Sequence, residues 1–174
     1  MITSVCLDTQ YCSTYDSPLG PIILRSDGDA LTGLFFSTQL QQITGRDRWI
    51  ARDDCFDDVR RYLDGYFARA VGDEVPNLQL AGTPFQIDVW KELCSIGFGE
   101  TRSYGEIAKA IGKPLASRAV GKAIGDNPIS LIVPCHRVIG GSGKLTGYAG
   151  GLELKRWLLD HEADRLSPQA FLAV

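Results

Sequence analysis

The chain has 174 residues, with 18 Lys and Arg against 21 Asp and Glu, which gives a formal net charge of −3. This mildly acidic balance excludes binding of nucleic acid through bulk positive charge, although it allows a local basic face. The length and the 44% hydrophobic content are those of an ordinary globular protein of one or two domains.

No apolar run is long enough to span a bilayer, and residues 1–8 carry no secretory signal. We therefore expect a protein that stays inside the cell and binds no membrane. The five cysteines include no C-x-x-C pair, and the only histidines are His136 and His161. A disulfide framework and a zinc site are not expected, and we predict neither a metal nor a cofactor.

Residues 1–76 predict a small N-terminal α/β domain. Three short apolar or β-branched runs, at 11–15, 22–26 and 31–37, are separated by turn-forming residues, which is typical of a β-meander. Residues 54–67 carry apolar side chains at three- and four-residue steps and predict an amphipathic helix. Either of the two aspartates at positions 53 and 54 would cap this helix.

A connecting segment at 77–82 is predicted to lead into a mostly helical domain at 83–174. Thr83-Pro84 begins a helix that extends to about residue 95, because proline is favoured in the first helical position. The pattern at 151–162 predicts a further amphipathic helix near the end of the chain.

A candidate helix-turn-helix lies between these helices. Ser103 and Glu106 occupy the positions of a capping box, Gly112 ends that helix, and residues 116–124 form a second helical pattern. Five basic residues against two acidic ones between 102 and 127 favour DNA binding. Small side chains on the second helix would allow close approach to a groove: Ala116, Ala119 and Ala123. The alternative is that these alanines only pack on the first helix.

A short apolar run ends in Pro134-Cys135-His136-Arg137. Residues 129–133 have the length and composition of a buried strand, so we predict that Cys135 lies at a strand end. A nearby imidazolium or guanidinium would stabilise the thiolate, which is the nucleophilic form of cysteine. The alternative is a buried structural cysteine.

His136 is a candidate base. Adjacent side chains of an extended chain point in opposite directions, so a water between His136 and Cys135 is a plausible route for the proton. The imidazole would also need an acceptor on its other nitrogen, and Glu162, at the end of the predicted last helix, is the best candidate. His161 is expected at the surface.

Four motifs follow one another along the chain: the helix pair at 104–127, Asn127-Pro128, the Pro134–Val138 segment, and Gly147-Tyr148-Ala149-Gly150-Gly151. Together they resemble the O6-alkylguanine-DNA alkyltransferase family, also called methylated-DNA-protein-cysteine methyltransferases. The resemblance covers about residues 83–162, and the first 80 residues match only in general pattern. It implies a ribonuclease-H-like N-terminal domain and a winged-helix-like C-terminal domain.

The resemblance implies DNA repair by direct, irreversible, single-turnover transfer of the alkyl group of O6-alkylguanine, and of O4-alkylthymine, to Cys135. His136 would deprotonate the thiol through a water, and Glu162 would orient the imidazole. The partner would be double-stranded DNA, bound at the minor groove with the damaged base flipped out. No obligatory protein partner is implied, so we expect a monomer in the cytoplasm, at the nucleoid in a prokaryote.

The resemblance also implies roles for the remaining residues. Arg118 would fill the space that the flipped base leaves, and Tyr104 would help to turn out the nucleotide. Asn127 would tie the turn before the reactive segment to the helix-turn-helix. The other residues expected at the pocket are Val138, Tyr148, Ala149 and Lys155. For Lys155, a solvated helix charge is the alternative.

Two other functions are weighed against repair. A lesion-recognition module without transfer would lack the reactive cysteine, so the presence of Cys135 argues against it. A Cys-His hydrolase would use Cys135, His136 and Glu162, but it has no need of a basic helix pair.

The net charge differs between the two halves of the chain. Residues 1–76 hold seven Arg against twelve Asp and Glu, a net −5, and the remaining residues carry a net +2.

Overall fold

A four-stranded sheet opens the N-terminal half of the computed structural model, which describes residues 9–70 and 74–163. The strands are β1 (Tyr11–Ser17), β2 (Gly20–Ser26), β3 (Leu31–Phe36) and β4 (Ile50–Ala51). Their order in the sheet is β3-β2-β1-β4, with β4 parallel to β1 and the other pairs antiparallel. The predicted meander is therefore confirmed, and β3 lies at one edge of the sheet.

A single 3-10 turn, Asp54–Phe56, precedes helix α1 (Asp57–Phe67). The predicted helix thus begins three residues late as α-helix, and neither aspartate caps it with its side chain. Asp53 instead accepts hydrogen bonds from Ser13 and Arg60, which hold it against β1. The buried residues of α1 are Val59, Leu63 and Tyr66.

The C-terminal half is mostly helical, as predicted. Its elements are α2 (Pro84–Leu93), β5 (Arg102–Ser103), α3 (Tyr104–Ala110), α4 (Ser117–Gly125), β6 (Val138–Ile139) and α5 (Leu152–Glu162). Thr83 and Ser103 cap α2 and α3 by accepting from the backbone N–H three residues later. Gly112 follows α3 with φ +71°, a conformation that side chains disfavour, so the chain turns there into α4. The helix-turn-helix is therefore present.

Residues 129–133 form turns, and the strand predicted there is wrong. Only Ile129 makes an isolated bridge, to Leu34 of β3. Leu131 has φ +71°, which is incompatible with an extended strand. The run is apolar because it is buried, and burial alone does not distinguish a strand from a packed turn. Cys135 accordingly begins a 3-10 turn, Cys135–Arg137, instead of ending a strand.

One apolar core joins the two halves of the described chain. Buried side chains from β2, β3 and α1 are continuous with those of α2, α3 and the 129–133 turns. The backbone also connects them, because Leu34 N donates to Pro128 O at 2.9 Å and Ser130 N donates to Leu34 O at 3.1 Å. The segment that leads to Cys135 therefore packs against the edge of the N-terminal sheet. No helix within the described ranges is long and apolar enough to cross a membrane.

Candidate active site

A cavity of about 380 Å³ is lined by five of the predicted site residues, including Cys135. It lies between the helix pair and the loop at 146–149, and its lining includes Tyr104, Gly121, Asn127, Cys135, Tyr148 and Ala149. A larger cavity of about 630 Å³, beside α1 and the 74–77 segment, contains none of them. The smaller cavity is therefore the candidate active site, because it contains Cys135 and other predicted residues.

Cys135 lies at this cavity with its side chain almost entirely buried. Burial raises the pKa of the Cys135 thiol, whereas Asn127, the Lys155 ammonium and Tyr148 act in the opposite direction. The expectation that His136 and Arg137 stabilise a thiolate is not met, because both side chains engage Glu162. The thiol therefore needs a base to become a nucleophile.

His136 and Glu162 form a buried pair, with Nε2 of the imidazole 2.7 Å from Oε1 of the carboxylate. Burial alone would raise the pKa of Glu162, but hydrogen bonds and charge from His136 and Arg137 hold it well below its usual range. Glu162 is thus a carboxylate that can only accept, so the proton of the imidazole is on Nε2. Burial lowers the pKa of His136, which favours the neutral ring.

The second ring nitrogen of His136 is available as a base. Nδ1 is buried and has no hydrogen-bond partner among the described residues. In the neutral ring with Nε2 protonated, Nδ1 carries the lone pair. The arrangement can accept a proton at Nδ1, and Glu162 would stabilise the resulting imidazolium.

Three further residues bind the Glu162 carboxylate. Arg137 donates from Nε to Oε2 at 2.8 Å and from Nη2 to Oε1 at 3.0 Å, and Gly99 N donates to Oε2 at 3.0 Å. The hydroxyl of Tyr66, on α1, donates to Oε1 at 2.8 Å. Sequence reasoning missed Gly99 and Tyr66, because nothing in the local sequence indicates a contact across such separations.

Asn127 fixes the turns that precede Cys135. Its Nδ2 donates to Val133 O at 2.8 Å, and its Oδ1 accepts from Ile129 N at 3.0 Å. These bonds satisfy buried backbone groups in a segment that forms turns and pairs with β3 only around Leu34. Asn127 is itself buried and lines the cavity.

Lys155 is completely buried, so its interpretation as a solvated helix charge is wrong. Its Nζ donates to Val138 O at 2.6 Å and to Thr146 O at 2.9 Å. Burial lowers the pKa of Lys155 to about 8. The backbone N–H of Val138 donates to Cys135 O. Of the two backbone groups of Val138, only the carbonyl, through its second lone pair, could therefore contact a nucleobase.

The loop beyond β6 supplies Tyr148 and Ala149, and both line the cavity. The Tyr148 hydroxyl is buried beside Cys135, yet it makes no hydrogen bond of normal geometry with any described residue. Burial raises the pKa of Tyr148 well above its usual value, so the hydroxyl remains a donor. Tyr104 donates to Thr146 O at 3.2 Å and thereby ties α3 to this loop.

The exposed face of α4 carries Arg118 and Ala119, and Ala116 is half-buried at its start. Ala123 differs from the prediction, because its side chain lies in the core and its carbonyl accepts from Trp90 Nε1 at 2.8 Å. The helical period explains the correction: Ala123 shares the inward face of α4 with Val120. Ala123 thus has the packing role and does not face a groove.

His161 is buried, which corrects its expected surface position. Its ring is stacked on Trp157 at a centroid distance of 4.9 Å, and its Nε2 donates to the backbone carbonyl of Tyr66 at 3.0 Å. Across the described ranges, no three His, Cys, Asp or Glu side chains come together in a group that could hold a metal ion.

Comparisons with known proteins agree across both halves of the chain. Residues 10–73 match the family model of the 6-O-methylguanine DNA methyltransferase ribonuclease-like domain, and residues 84–164 match that of its DNA binding domain. A methylated-DNA--protein-cysteine methyltransferase of Methanosarcina acetivorans is 48% identical over 87% of this chain and 97% of its own length. One from Mycobacterium bovis is 51% identical over 87% and 92%.

The fold also matches solved structures. The structure of Mycobacterium tuberculosis OGT in complex with DNA is 48% identical, covers 93% of this chain and 98% of that one, and superposes with a TM-score of 0.84. A structure of Mycobacterium tuberculosis O6-methylguanine methyltransferase gives a TM-score of 0.83 at 48% identity, over 94% and 99% of the two chains. The α/β fold with its helical C-terminal half is therefore the fold of these proteins. The chain belongs to the 6-O-methylguanine DNA methyltransferase family.

Proposed function

We propose that this protein repairs alkylated DNA by transferring the alkyl group of O6-alkylguanine to Cys135 in a single, irreversible turnover. The observation that carries the proposal is a buried thiol at a cavity, next in sequence to a neutral histidine that is held by a buried carboxylate. The sulfur–carbon bond forms as the carbon–O6 bond breaks. The thiol proton leaves through His136 and is delivered to the released guanine, so the protein ends as a thioether.

The proposed base is His136, because burial raises the pKa of the Cys135 thiol and lowers the pKa of His136. Burial keeps the Cys135 thiol protonated, so transfer begins with removal of its proton. The neutral His136 accepts that proton at Nδ1, through a water in this proposal. Glu162 keeps Nε2–H oriented and stabilises the imidazolium by its negative charge. Lys155 favours the thiolate, because its ammonium lies close enough to Cys135 to lower the thiol pKa.

Access to the damaged base requires that it leave the duplex, at a cost of a few kcal/mol. The exposed Arg118 on α4 would fill the vacated stack, and Tyr104 at the cavity would help to turn the nucleotide. A relative that resembles this chain along almost its whole length was solved in complex with DNA. We include in the proposal binding at the minor groove, action on O4-alkylthymine, a monomeric state, a cytoplasmic location, and domains at 1–76 and 83–174.

Intact-protein mass spectrometry tests the transfer. After incubation with duplex DNA containing O6-methylguanine, we expect one added methyl group, located on Cys135. The Cys135→Ser protein should remain unmodified, and Cys94→Ser, which changes an exposed free cysteine, should react like wild type. Release of product over many turnovers by unmodified protein would contradict the proposal and would favour the Cys-His hydrolase. Tight binding of the lesion without transfer would favour the recognition module.

A further inference from the structure

Tyr66 is a buried donor that the mechanism above leaves without a role. It lies in the last turn of α1, in the N-terminal half of the chain, and its side chain is buried. Its hydroxyl donates to Oε1 of Glu162, which is also the oxygen that accepts from His136. Tyr66 and His136 therefore bind the same carboxylate oxygen, at 2.8 and 2.7 Å.

Two hydrogen bonds between α1 and α5 fix the position of Tyr66, one made by its side chain and one by its backbone. His161 precedes Glu162 on α5, and its Nε2 donates to the backbone carbonyl of Tyr66 at 3.0 Å. The side chain of Tyr66 thus holds α5, while a side chain of α5 holds the backbone of Tyr66. The ring of Phe98 meets the Tyr66 ring edge-on at 5.7 Å. The hydroxyl is consequently aimed at Glu162 by contacts on its ring and on its backbone.

We propose that Tyr66 is a positioning residue for alkyl transfer, which acts through Glu162 on His136. This inference rests on the proposed function of the site. A hydrogen bond from the hydroxyl draws on the negative charge of Oε1, so less of that charge is available to stabilise an imidazolium. The N–H of His136 is also directed to an oxygen whose position Tyr66 helps to fix. Tyr66 thereby keeps His136 neutral, and able to accept a proton, at lower pH.

Other groups contribute to the same charge balance. Those facing the His136–Glu162 pair are Arg137 on the 3-10 turn, Lys155 on α5, and the half-buried tyrosines Tyr62 and Tyr148. The substitution Tyr66→Phe removes one oxygen atom and leaves all of them in place. A change in the pH dependence can therefore be assigned to the hydroxyl.

Tyr15→Phe is the matched control. Tyr15 is a buried tyrosine of the N-terminal half whose hydroxyl also donates to a carboxylate, that of Asp64, at 2.8 Å. This substitution removes the same atom from a part-buried bond to a carboxylate outside the site. Any effect that comes only from losing a tyrosine hydroxyl bonded to a carboxylate should appear in both variants.

The rate of transfer from free O6-benzylguanine to Cys135 should be measured between about pH 5 and pH 8.5, which spans histidine ionisation. The wild-type rate should fall as His136 becomes protonated. In Tyr66→Phe this fall should move upward by about one pH unit, because a hydrogen bond to a charged group is lost. The deficit of the variant should therefore grow as the pH falls, whereas Tyr15→Phe should follow wild type.

A second measurement does not depend on the reaction. The chain has only two histidines, so nuclear magnetic resonance can follow His136 directly in the Cys135→Ser protein with and without Tyr66→Phe. The pKa of His136 should rise in the variant. Identical pH profiles, or an equal loss of rate at every pH, would overturn the role of Tyr66 alone. A wild-type protein that does not alkylate Cys135 would instead overturn the proposed function.

Discussion

The Nζ atom of Lys155 donates a hydrogen bond of 2.6 Å to the backbone carbonyl of Val138, and both residues are fully buried. Lys155 belongs to α5, and Val138 directly follows the 3-10 turn that carries Cys135. A second bond, to Thr146 O, extends this link to the loop that covers the cavity. One buried ammonium thus joins α5 to two segments around the reactive thiol.

The burial of Lys155 should make stability rise with pH through this group. Its pKa is about 8 in the folded protein and 10.5 when unperturbed, so between these values the unfolded chain binds more protons than the folded one. Raising the pH from about 8 to about 10 therefore removes the penalty of burying the ammonium. In a Cys135→Ser background, the melting temperature with Lys155 should increase over this range relative to that with Lys155→Met. The exposed Lys91→Met is the control, and a difference independent of pH would contradict the prediction.

Arg118→Ala should slow repair of duplex DNA much more than reaction with the free base. The exposed guanidinium is proposed to replace the flipped nucleotide in the stack, and free O6-benzylguanine needs no flipping. Loss of about 1–3 kcal/mol at that step corresponds to a rate on duplex DNA that is about 5- to 150-fold lower. Single-turnover rates on both substrates test this, with Arg156→Ala, another exposed arginine, as the control. Equal losses on the two substrates would refute the assigned role of Arg118.

Asn127→Ala should destabilise the fold as well as the site. The change leaves Val133 O and Ile129 N without their side-chain partner in a buried segment. Ile129 N loses its partner at about 1–3 kcal/mol, and Val133 O, which still accepts from Cys135 N, loses one of two bonds at about 1 kcal/mol, so we expect a total loss of about 2–4 kcal/mol in the free energy of unfolding. Denaturant unfolding measures it. Asn77→Ala, which removes an exposed bond to Asp29 O, should change stability by only about 0.5 kcal/mol; similar losses in both variants would argue against this role.

Methylation of Cys135 should lower the melting temperature. Cys135 is only 4% exposed although it lines the cavity, so an added methyl group crowds the side chains packed around the sulfur. Overpacking of this kind costs about 1–3 kcal/mol. Thermal unfolding before and after stoichiometric reaction measures the effect, and Cys135→Ser treated with the same DNA serves as the control. A melting temperature that does not change on methylation would show that the site accommodates the group without strain.

Local patterns in the sequence predicted the elements that local interactions determine. The caps at Thr83 and Ser103 were predictable, because each depends on residues three positions apart. The C-terminal helix was predictable from its period, and this placed Glu162 at its end. Cys135 and His136 were identified because thiol, imidazole and guanidinium occur in succession.

Tertiary packing decided what the sequence could not show. The 129–133 run is as apolar as a strand, but Asn127 and the edge of β3 satisfy its backbone in turns. Ala123 and His161 are buried by neighbours that belong to other elements. Tyr66 is distant in sequence from Glu162, and its helical pattern indicates only that it faces inward.

The pairing of Leu34 with the 128–130 segment has a consequence for solubility. An edge strand exposes unpaired amides and carbonyls through which separate chains can associate, and folded proteins protect such edges with loops or charges. Here two segments cover β3, the 77–79 segment at Leu31 and, at Leu34, the segment that leads to Cys135, so the reactive centre and part of the protection of the sheet edge depend on the same few backbone bonds. Disturbance of the reactive segment would therefore uncover a surface suited to self-association.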